Sequence, residues 1–376
     1  MISRYYNMIW LLIIPLFLTG CWDYRDVNKR SINLSVGVDD VNGNVLYGAE
    51  FAKLMPDSSR NSSGMAQVSG VYYLESLGEN FEDSRSAFES QLPFQDFTGP
   101  WRVITFSEKY AENEGIEAYI NRTYNIQTFR NSVLMTICKG SVRELFNSKI
   151  NNDVCTGYGI EDTIKCLDDS GGTLYKTSQQ VKSDIDFKSI GFLLPYITKE
   201  NGTIKYLGLA VMKNSKLIRI IDRKESTGFL FLLSKNPNDI DVISHPRDEN
   251  ISISTKTTLG KKHIKTSYKD KKIHINIDLK LNSQIQYEYY AKPISNEDMK
   301  KIESEISKKI KKAVISSINL SQNEFKSDVF GFARCFKAEN PIEYRNMDWI
   351  KEYTDAVFDV NVETTIKNTN LIDLKK

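Results

Sequence analysis

Three features of the sequence predict an α+β fold in more than one domain. The N-terminal half mixes short apolar runs with amphipathic stretches. Further on, Ile273, Ile275, Ile277, Leu279 and Leu281 alternate with His274, Asn276, Asp278 and Lys280, and residues 296–320 carry one apolar stripe at helical spacing. The expected architecture is an N-terminal mixed strand and helix domain, followed by an antiparallel sheet packed with a long amphipathic helix.

Before the first of these elements stands a segment of a different kind. Arg4 precedes eleven apolar residues, Met8 to Leu18, and Leu18-Thr19-Gly20-Cys21 follows directly. A positive start, an apolar core and small residues before the cut make residues 1–20 a lipoprotein signal peptide. Eleven helical residues reach about 16 Å, against a hydrocarbon core of roughly 30 Å. The segment is too short to be a good permanent span. The expectation is a mature chain beginning at Cys21, which carries a diacylglyceryl group and an N-acyl chain, anchored on the extracytoplasmic face of a membrane. Two long acyl chains hold a protein where one only visits.

Within the mature chain, Ile32 to Val38 alternates as a half-buried strand does. Asn42-Gly43 is a strong hairpin signal, and Val45 to Phe51 is the return strand. Ser58 to Gly70, rich in Ser, Asn and Gly, reads as a loop. From Tyr73 to Leu92 the apolar positions Leu74, Leu77, Phe81, Phe88 and Leu92 fit a helix burying one face. Trp101 to Phe106 and Val133 to Cys138 are short apolar strands. Glu108 to Ile120 is a helix with a weak point at Gly115, and Ser141 with Glu144 matches a capping box. Asn147 to Gln180 is polar and reads as a variable insertion.

Ile190 to Ile197, Ile204 to Met212 and Lys216 to Ile221 are predicted strands, and Glu225 to Ser234 a short helix before Asn236-Pro237. Ile251 to Thr258 and Lys261 to Tyr268 precede the period-two strand at 273–281. Ser295 caps the long helix, whose stripe is Ile302, Ile306, Ile310, Ala313 and Ile318. Lys308, Lys309, Lys311 and Lys312 decorate its far side and read as a solvated face, balanced by Glu297, Asp298, Glu303 and Glu305. Ala356, Phe358, Val360, Val362 and Ile366 alternate in a last strand.

Composition narrows the chemistry. Lys+Arg total 50 and Asp+Glu 48 over 376 residues, so there is no strong overall field and nucleic acid is not an expected partner. Cys138 reads as a core hydrophobe, whereas Cys155 and Cys166 flank a polar stretch and either pair across it or stay free. The three histidines, His245, His263 and His274, have no metal-ligand spacing, and no CxxC occurs. Gly171-Gly172-Thr173-Leu174-Tyr175-Lys176-Thr177 lacks the glycine that a phosphate loop places before its lysine. Gly157-Tyr158-Gly159 lacks the third glycine of a dinucleotide fingerprint, and no GxSxG is present. Asp39-Asp40 and Asp168-Asp169 are the acid pairs nearest to a catalytic pattern. No metal, cofactor or catalytic residue is expected.

The segment Cys21-Trp22-Asp23-Tyr24-Arg25-Asp26-Val27-Asn28 resembles the opening Cys-Trp-Asp-x-Arg-Glu-x-Asn of the C subunits of spore nutrient-germinant receptors, the GerC lipoproteins (GerAC/GerBC-like) of endospore-forming bacteria, with Asp26 in place of Glu. Trp101 to Glu108, continuing through Gly115 and Tyr119, is similar to that family's next block, although Asn121-Arg122-Thr123-Tyr124 replaces its Arg-Asp-Pro continuation. Gly208 to Lys213 with Lys216-Leu217, Ser327 to Phe332, and Asp348-Trp349 resemble the later blocks.

The resemblance implies a non-enzymatic lipoprotein subunit of a germinant receptor, required for spore germination. It would work with integral membrane A and B subunits at the spore inner membrane. It also implies an N-terminal domain over 22–198 and a C-terminal germination domain over 203–374, the latter undivided or split into 203–245 and 251–374. Beside the lipidation site Cys21, the residues Trp22, Asp23, Arg25 and Asn28 are the candidate partner contacts. The alternative reading is an extracytoplasmic solute-binding lipoprotein of a transporter.

Overall fold

The computed structural model describes residues 29–54, 68–126, 129–288 and 294–368. Residues 1–20, expected to form a signal peptide, Cys21 and the Trp22 to Asn28 segment lie outside the described residues, as does most of the stretch 58–70.

Two sheets organise the chain. The larger is built from β1 (Ser31–Val41), β2 (Asn44–Leu54), β3 (Val68–Gly78), β4 (Asp96–Phe97), β5 (Val103–Ser107), β6 (Leu134–Cys138), β7 (Phe192–Glu200), β8 (Thr203–Lys213) and β9 (Lys216–Asp222). Its order is β3-β2-β1-β5-β6-β7-β8-β9, with β4 beside β1. The four central strands, β1, β5, β6 and β7, run parallel, and each end is extended by antiparallel strands. Asn42 and Gly43 both take positive φ, 56° and 84°, the two-residue turn whose twist suits a hairpin.

Parallel strands need crossovers, and the crossovers supply helices on both faces. On one face α1 (Phe81–Glu89), α2 (Glu108–Asn113), α3 (Glu117–Thr123) and α6 (Ser178–Phe187) bury Phe88, Tyr110, Tyr119 and Val181 against Val36, Val38, Phe106, Met135 and Ile137. On the other, α4 (Val142–Asn147), α5 (Thr156–Asp169) and α7 (Thr227–Leu233) bury Leu145, Ile160, Ile164 and Phe229 against Val103, Leu134, Leu193 and Leu209. This sheet does not stop at residue 200, because β8 and β9 hydrogen-bond into it.

The smaller sheet is β10 (Asn238–His245), β11 (Asp248–Lys269), β12 (Lys272–Glu288) and β13 (Val357–Asn368), in that order. Its inner face carries Ile273, Ile275, Ile277, Leu279 and Leu281, which meet Ile302, Ile306, Ile310, Val314 and Ile318 of α8 (Asn296–Asn319). Ser295 caps α8 and makes a capping box with Asp298. Beyond it come a π turn (Leu320–Phe325), α9 (Phe332–Glu339), α10 (Pro341–Arg345) and α11 (Trp349–Thr354).

Several expectations change. The wholly antiparallel C-terminal sheet is antiparallel only through β12, because β13 pairs parallel to β12. The reason is α8 and the helices after it, which carry the chain back along the sheet and make a β-α-β crossover in place of a hairpin. Leu74 and Leu77 belong to β3, and only Phe81–Glu89 is helical; a strand followed by a helix imitated one apolar stripe. The helix expected over Glu108 to Ile120 breaks into α2 and α3 at Gly115, whose φ is +78°. The polar segment 147–180 contains the 14-residue α5. Val314, not Ala313, completes the α8 stripe. Ser141 does cap α4, through the Arg143 N–H, with no reciprocal bond from Glu144. Cys155 and Cys166 are both free; they sit eleven residues apart along α5, about 16 Å on a helix, where a disulfide needs Cα atoms within roughly 7 Å.

Candidate functional site

The carboxyl ends of β1, β5 and β6 open onto a cleft of 490 Å³ lined by Asp39, Asp40, Glu108, Lys109, Glu112 and Gly140. In α/β sheets this edge is where ligands are usually held, and most of the acids there are engaged by the protein itself. Asp39 accepts the N–H of Val142 and that of Asp40, each at 2.8 Å. Asp40 accepts Gly43 N–H at 2.8 Å and the Asn113 amide at 2.7 Å, with Lys109 Nζ at 3.1 Å. Burial pushes the Asp40 carboxyl up, but those donors outweigh it and hold it below its ordinary value. Glu108 accepts the Tyr196 hydroxyl at 2.6 Å. Burial, and then this carboxylate, push the Tyr196 phenol up. The Asp39-Asp40 pair therefore ties the β1–β2 turn to α2 and α4, and Asp40 is held as a carboxylate, ill suited to donate a proton. Asp168 likewise accepts Tyr175 N–H at 3.1 Å. Among the described residues no group of His, Cys, Asp or Glu is placed to hold a metal ion.

A second polar cluster has no counterpart in the sequence reading. Glu50 is buried in β2, and its carboxylate accepts Thr156 N–H and Gly157 N–H at 2.8 Å each, and the Ser35 hydroxyl at 2.5 Å. It sits at the N-terminus of α5, where free N–H groups and the helix dipole favour an anion. Gly157 permits the approach, because a Cβ there would overlap the Ser35 side chain. Arg102 donates to Glu161 of α5 at 2.8 Å and covers the Tyr158 ring at 4.5 Å. A glutamate alternating with apolar residues in β2, and a glycine just after the start of α5, were the only signals.

The third cluster joins the two sheets. Arg334 of α9 donates to Asp184 of α6 at 2.7 Å and to the Ser183 carbonyl at 3.0 Å, with its guanidinium over Phe187 at 5.1 Å. Lys176 approaches the other Asp184 oxygen at 2.6 Å. Asp328, buried, accepts the N–H groups of Phe330, Gly331 and Ala333, which fixes the turn into α9. The Asp328 carbonyl accepts Gly191 N–H at 3.0 Å, and Phe330 stacks on Phe229 of α7 at 5.4 Å. Lys213 of β8 reaches the Phe325 carbonyl at 3.0 Å.

Comparison with known proteins identifies what this arrangement belongs to. A family model described as spore germination protein N-terminal domain matches residues 23–199, and one described as spore germination B3/GerAC like, C-terminal, matches 207–370. The chain belongs to the GerAC-type spore germination protein family. The curated relatives of this chain include Bacillus subtilis spore germination protein YndF, 20% identical over 96% of this chain and 95% of that one, and spore germination protein B3 of the same organism, 21% identical over 95% and 93%. A crystal structure of the GerBC protein shares the fold, with a TM-score of 0.59 at 16% identity, covering 89% of this chain and 97% of that one.

The blocks that carried the family resemblance now have places. Ser107 caps α2 through Tyr110 N–H at 3.1 Å, and Trp101 and Tyr119 are core residues. Gly115 turns the chain so that Ile116 N–H reaches the Ser215 carbonyl at 2.9 Å in the β8–β9 turn, and Lys216 bonds the Asn113 carbonyl. Gly208 to Leu217 and Ser327 to Phe332 then meet at the joint. Trp349 packs on Phe336, Tyr344 and Tyr353. Arg122, in the block that departs from the family, pairs with Glu82 of α1. Cys21, Trp22, Asp23, Arg25 and Asn28 lie outside the described residues.

Proposed function

We propose that this chain is the lipid-anchored, non-enzymatic subunit of a nutrient-germinant receptor, required for germination and acting beside two integral membrane partners, the A and B subunits. The observation that carries the reading is the match of both family models in order, from residue 23 to residue 370. The Leu18-Thr19-Gly20-Cys21 signal supports an acylated Cys21 as the tether, on the extracytoplasmic face of the spore inner membrane. Trp22, Asp23, Arg25 and Asn28 follow the tether at once and are assigned to contact with a membrane partner. A non-enzymatic role is supported by Asp39, Asp40 and Glu108 of the cleft, whose carboxylates accept from fixed donors. A periplasmic-type solute carrier would call for two comparable lobes about a hinge, and the two sheets here differ in size and topology.

The test is genetic. In a strain lacking other chains of this family, deletion abolishes germination in response to one or more nutrients while vegetative growth is unchanged, and a Cys21→Ala copy fails to restore it. Normal germination of the deletion strain with every nutrient tried would refute the proposal.

A further inference from the structure

The chain carries a formal charge of only +2, yet residues 256–280 hold eight lysines against two aspartates, a local +6. The hairpin β11–β12 sorts them by face. Ile264 and Tyr268 of β11, and Ile273, Ile275, Ile277 and Leu279 of β12, turn toward the helical layer of α8 and α9. The alternate positions Lys261, Lys265, Lys269, Lys272 and Lys280 therefore share the opposite face, with His263 and Asp278, and all seven are exposed. Lys261 stands directly across from Lys280, and Lys269 across from Lys272. Like charges opposed across a ladder are destabilising. Only Lys280 finds a carboxylate, Glu363 at 3.7 Å, and no ion pair reaches Lys261, Lys265, Lys269 or Lys272 among the described residues. The acids of this face, Asp278 on β12 and Asp359 and Glu363 on β13, lie to one side of the lysine column on β11.

Edge protection accounts for part of this pattern, since β10 pairs with β11 only up to Thr258, and lysines keep an open strand from recruiting another. It does not account for Lys272 and Lys280 on β12, nor for Lys271 in the turn. The free edge is moreover already capped where Thr266 N–H donates to Glu339 at 2.6 Å.

We propose that the outer face of the β11–β12 hairpin rests on an anionic bilayer surface. The cations are lysines throughout, with no arginine among them, and lysine acts as a hydrated point charge where arginine would supply a directional fork for a particular partner group. They are spread over an open, single-layer sheet face, which suits a diffuse planar field of headgroups. The inference goes beyond the receptor reading and fails separately from it, since it is decided on purified protein and not by germination.

The test uses the full chain reconstituted in vesicles of phosphatidylcholine, with or without one part in four of phosphatidylglycerol. The rate of amine acetylation is read at each lysine by mass spectrometry. Lys261, Lys265, Lys269 and Lys272 are expected to react several-fold more slowly on the anionic vesicles at about 0.1 M salt, and to lose that protection near 1 M salt, where the Debye length falls to about 3 Å. Lys308 and Lys312 on α8 serve as internal controls and keep one rate on both. Equal rates at the hairpin lysines on the two vesicle types overturn the proposal. So does protection that appears only in protein-containing native membranes, which would assign the face to an acidic protein surface.

Discussion

Arg334 and Asp184, 150 residues apart in sequence, meet at 2.7 Å and fasten α9 of the smaller sheet to α6 of the larger. Asp184 is almost fully buried, and it receives Lys176 as well. Removing one partner of such a cluster leaves charge without compensation in a dry place. Arg334→Ala is expected to cost about 1–2 kcal/mol, because its guanidinium is partly exposed, and Asp184→Ala about 3 kcal/mol, because two cations lose their acceptor. Urea midpoints measure both. Arg334→Lys should recover little, since a lysine cannot serve Asp184 and the Ser183 carbonyl together.

Glu50 makes a second long-range tie. Its carboxylate holds Thr156 N–H, Gly157 N–H and the Ser35 hydroxyl, so Glu50→Ala strands three buried donors and is expected to cost about 3 kcal/mol. Gly157→Ala should destabilise by a comparable amount through overlap with Ser35. Unfolding midpoints of the two variants beside the parent chain decide this, and near-parental values would show that α5 is held by its apolar face alone.

Asp96 predicts a pH dependence with a definite sign. Burial pushes its carboxyl up to about 6, against the opposing pull of the Asn33 amide and Arg85. Among the described residues, one oxygen of Asp96 and the side-chain oxygen of Asn33 are both buried without a partner. The folded value lies above the unfolded one, so the folded chain binds this proton more tightly. The resulting stability is complete below about 4 and is lost as pH rises through about 6. The thermal midpoint should therefore fall between pH 4.5 and pH 7 by the equivalent of about 1–3 kcal/mol. Burial pushes the Asp328 carboxyl up to about 6 as well, so Asp96→Asn should reduce that slope without abolishing it, and an unchanged slope in the variant would assign the titration elsewhere.

The thiols give a further test. Cys166 is exposed, while Cys138 and Cys155 are buried, with burial pushing both thiols up. Maleimide should label Cys166 in the native chain and reach Cys138 and Cys155 only on unfolding. The thermal midpoint should be the same with and without reductant.

What the sequence made legible follows the strength of local signals. The strict alternation at 273–281 gave β12, Ser295 gave the start of α8, and Asn42-Gly43 gave the β1–β2 turn. Helix α5 was obscured because its inner face is built from Thr156, Gly157, Gly159 and Glu161 as much as from Ile160 and Ile164. Close packing on Ser35 and Ile150 needs small residues there, and small residues leave a faint hydrophobic period. The parallel pairing of β13 was hidden for a different reason: alternation reports which face is wet, and carries no information on strand direction. The clusters at Glu50 and at Asp184 join residues more than a hundred positions apart, beyond the reach of any spacing rule.

Membership of a receptor complex is decided by recovering the tagged full chain from detergent-solubilised spore membranes and identifying by mass spectrometry whatever accompanies it. Two integral membrane proteins should accompany the chain in constant proportion, and less of both when Trp22 and Arg25 are changed to alanine with Cys21 retained. Recovery of the chain alone, or without any integral membrane protein, would contradict that membership.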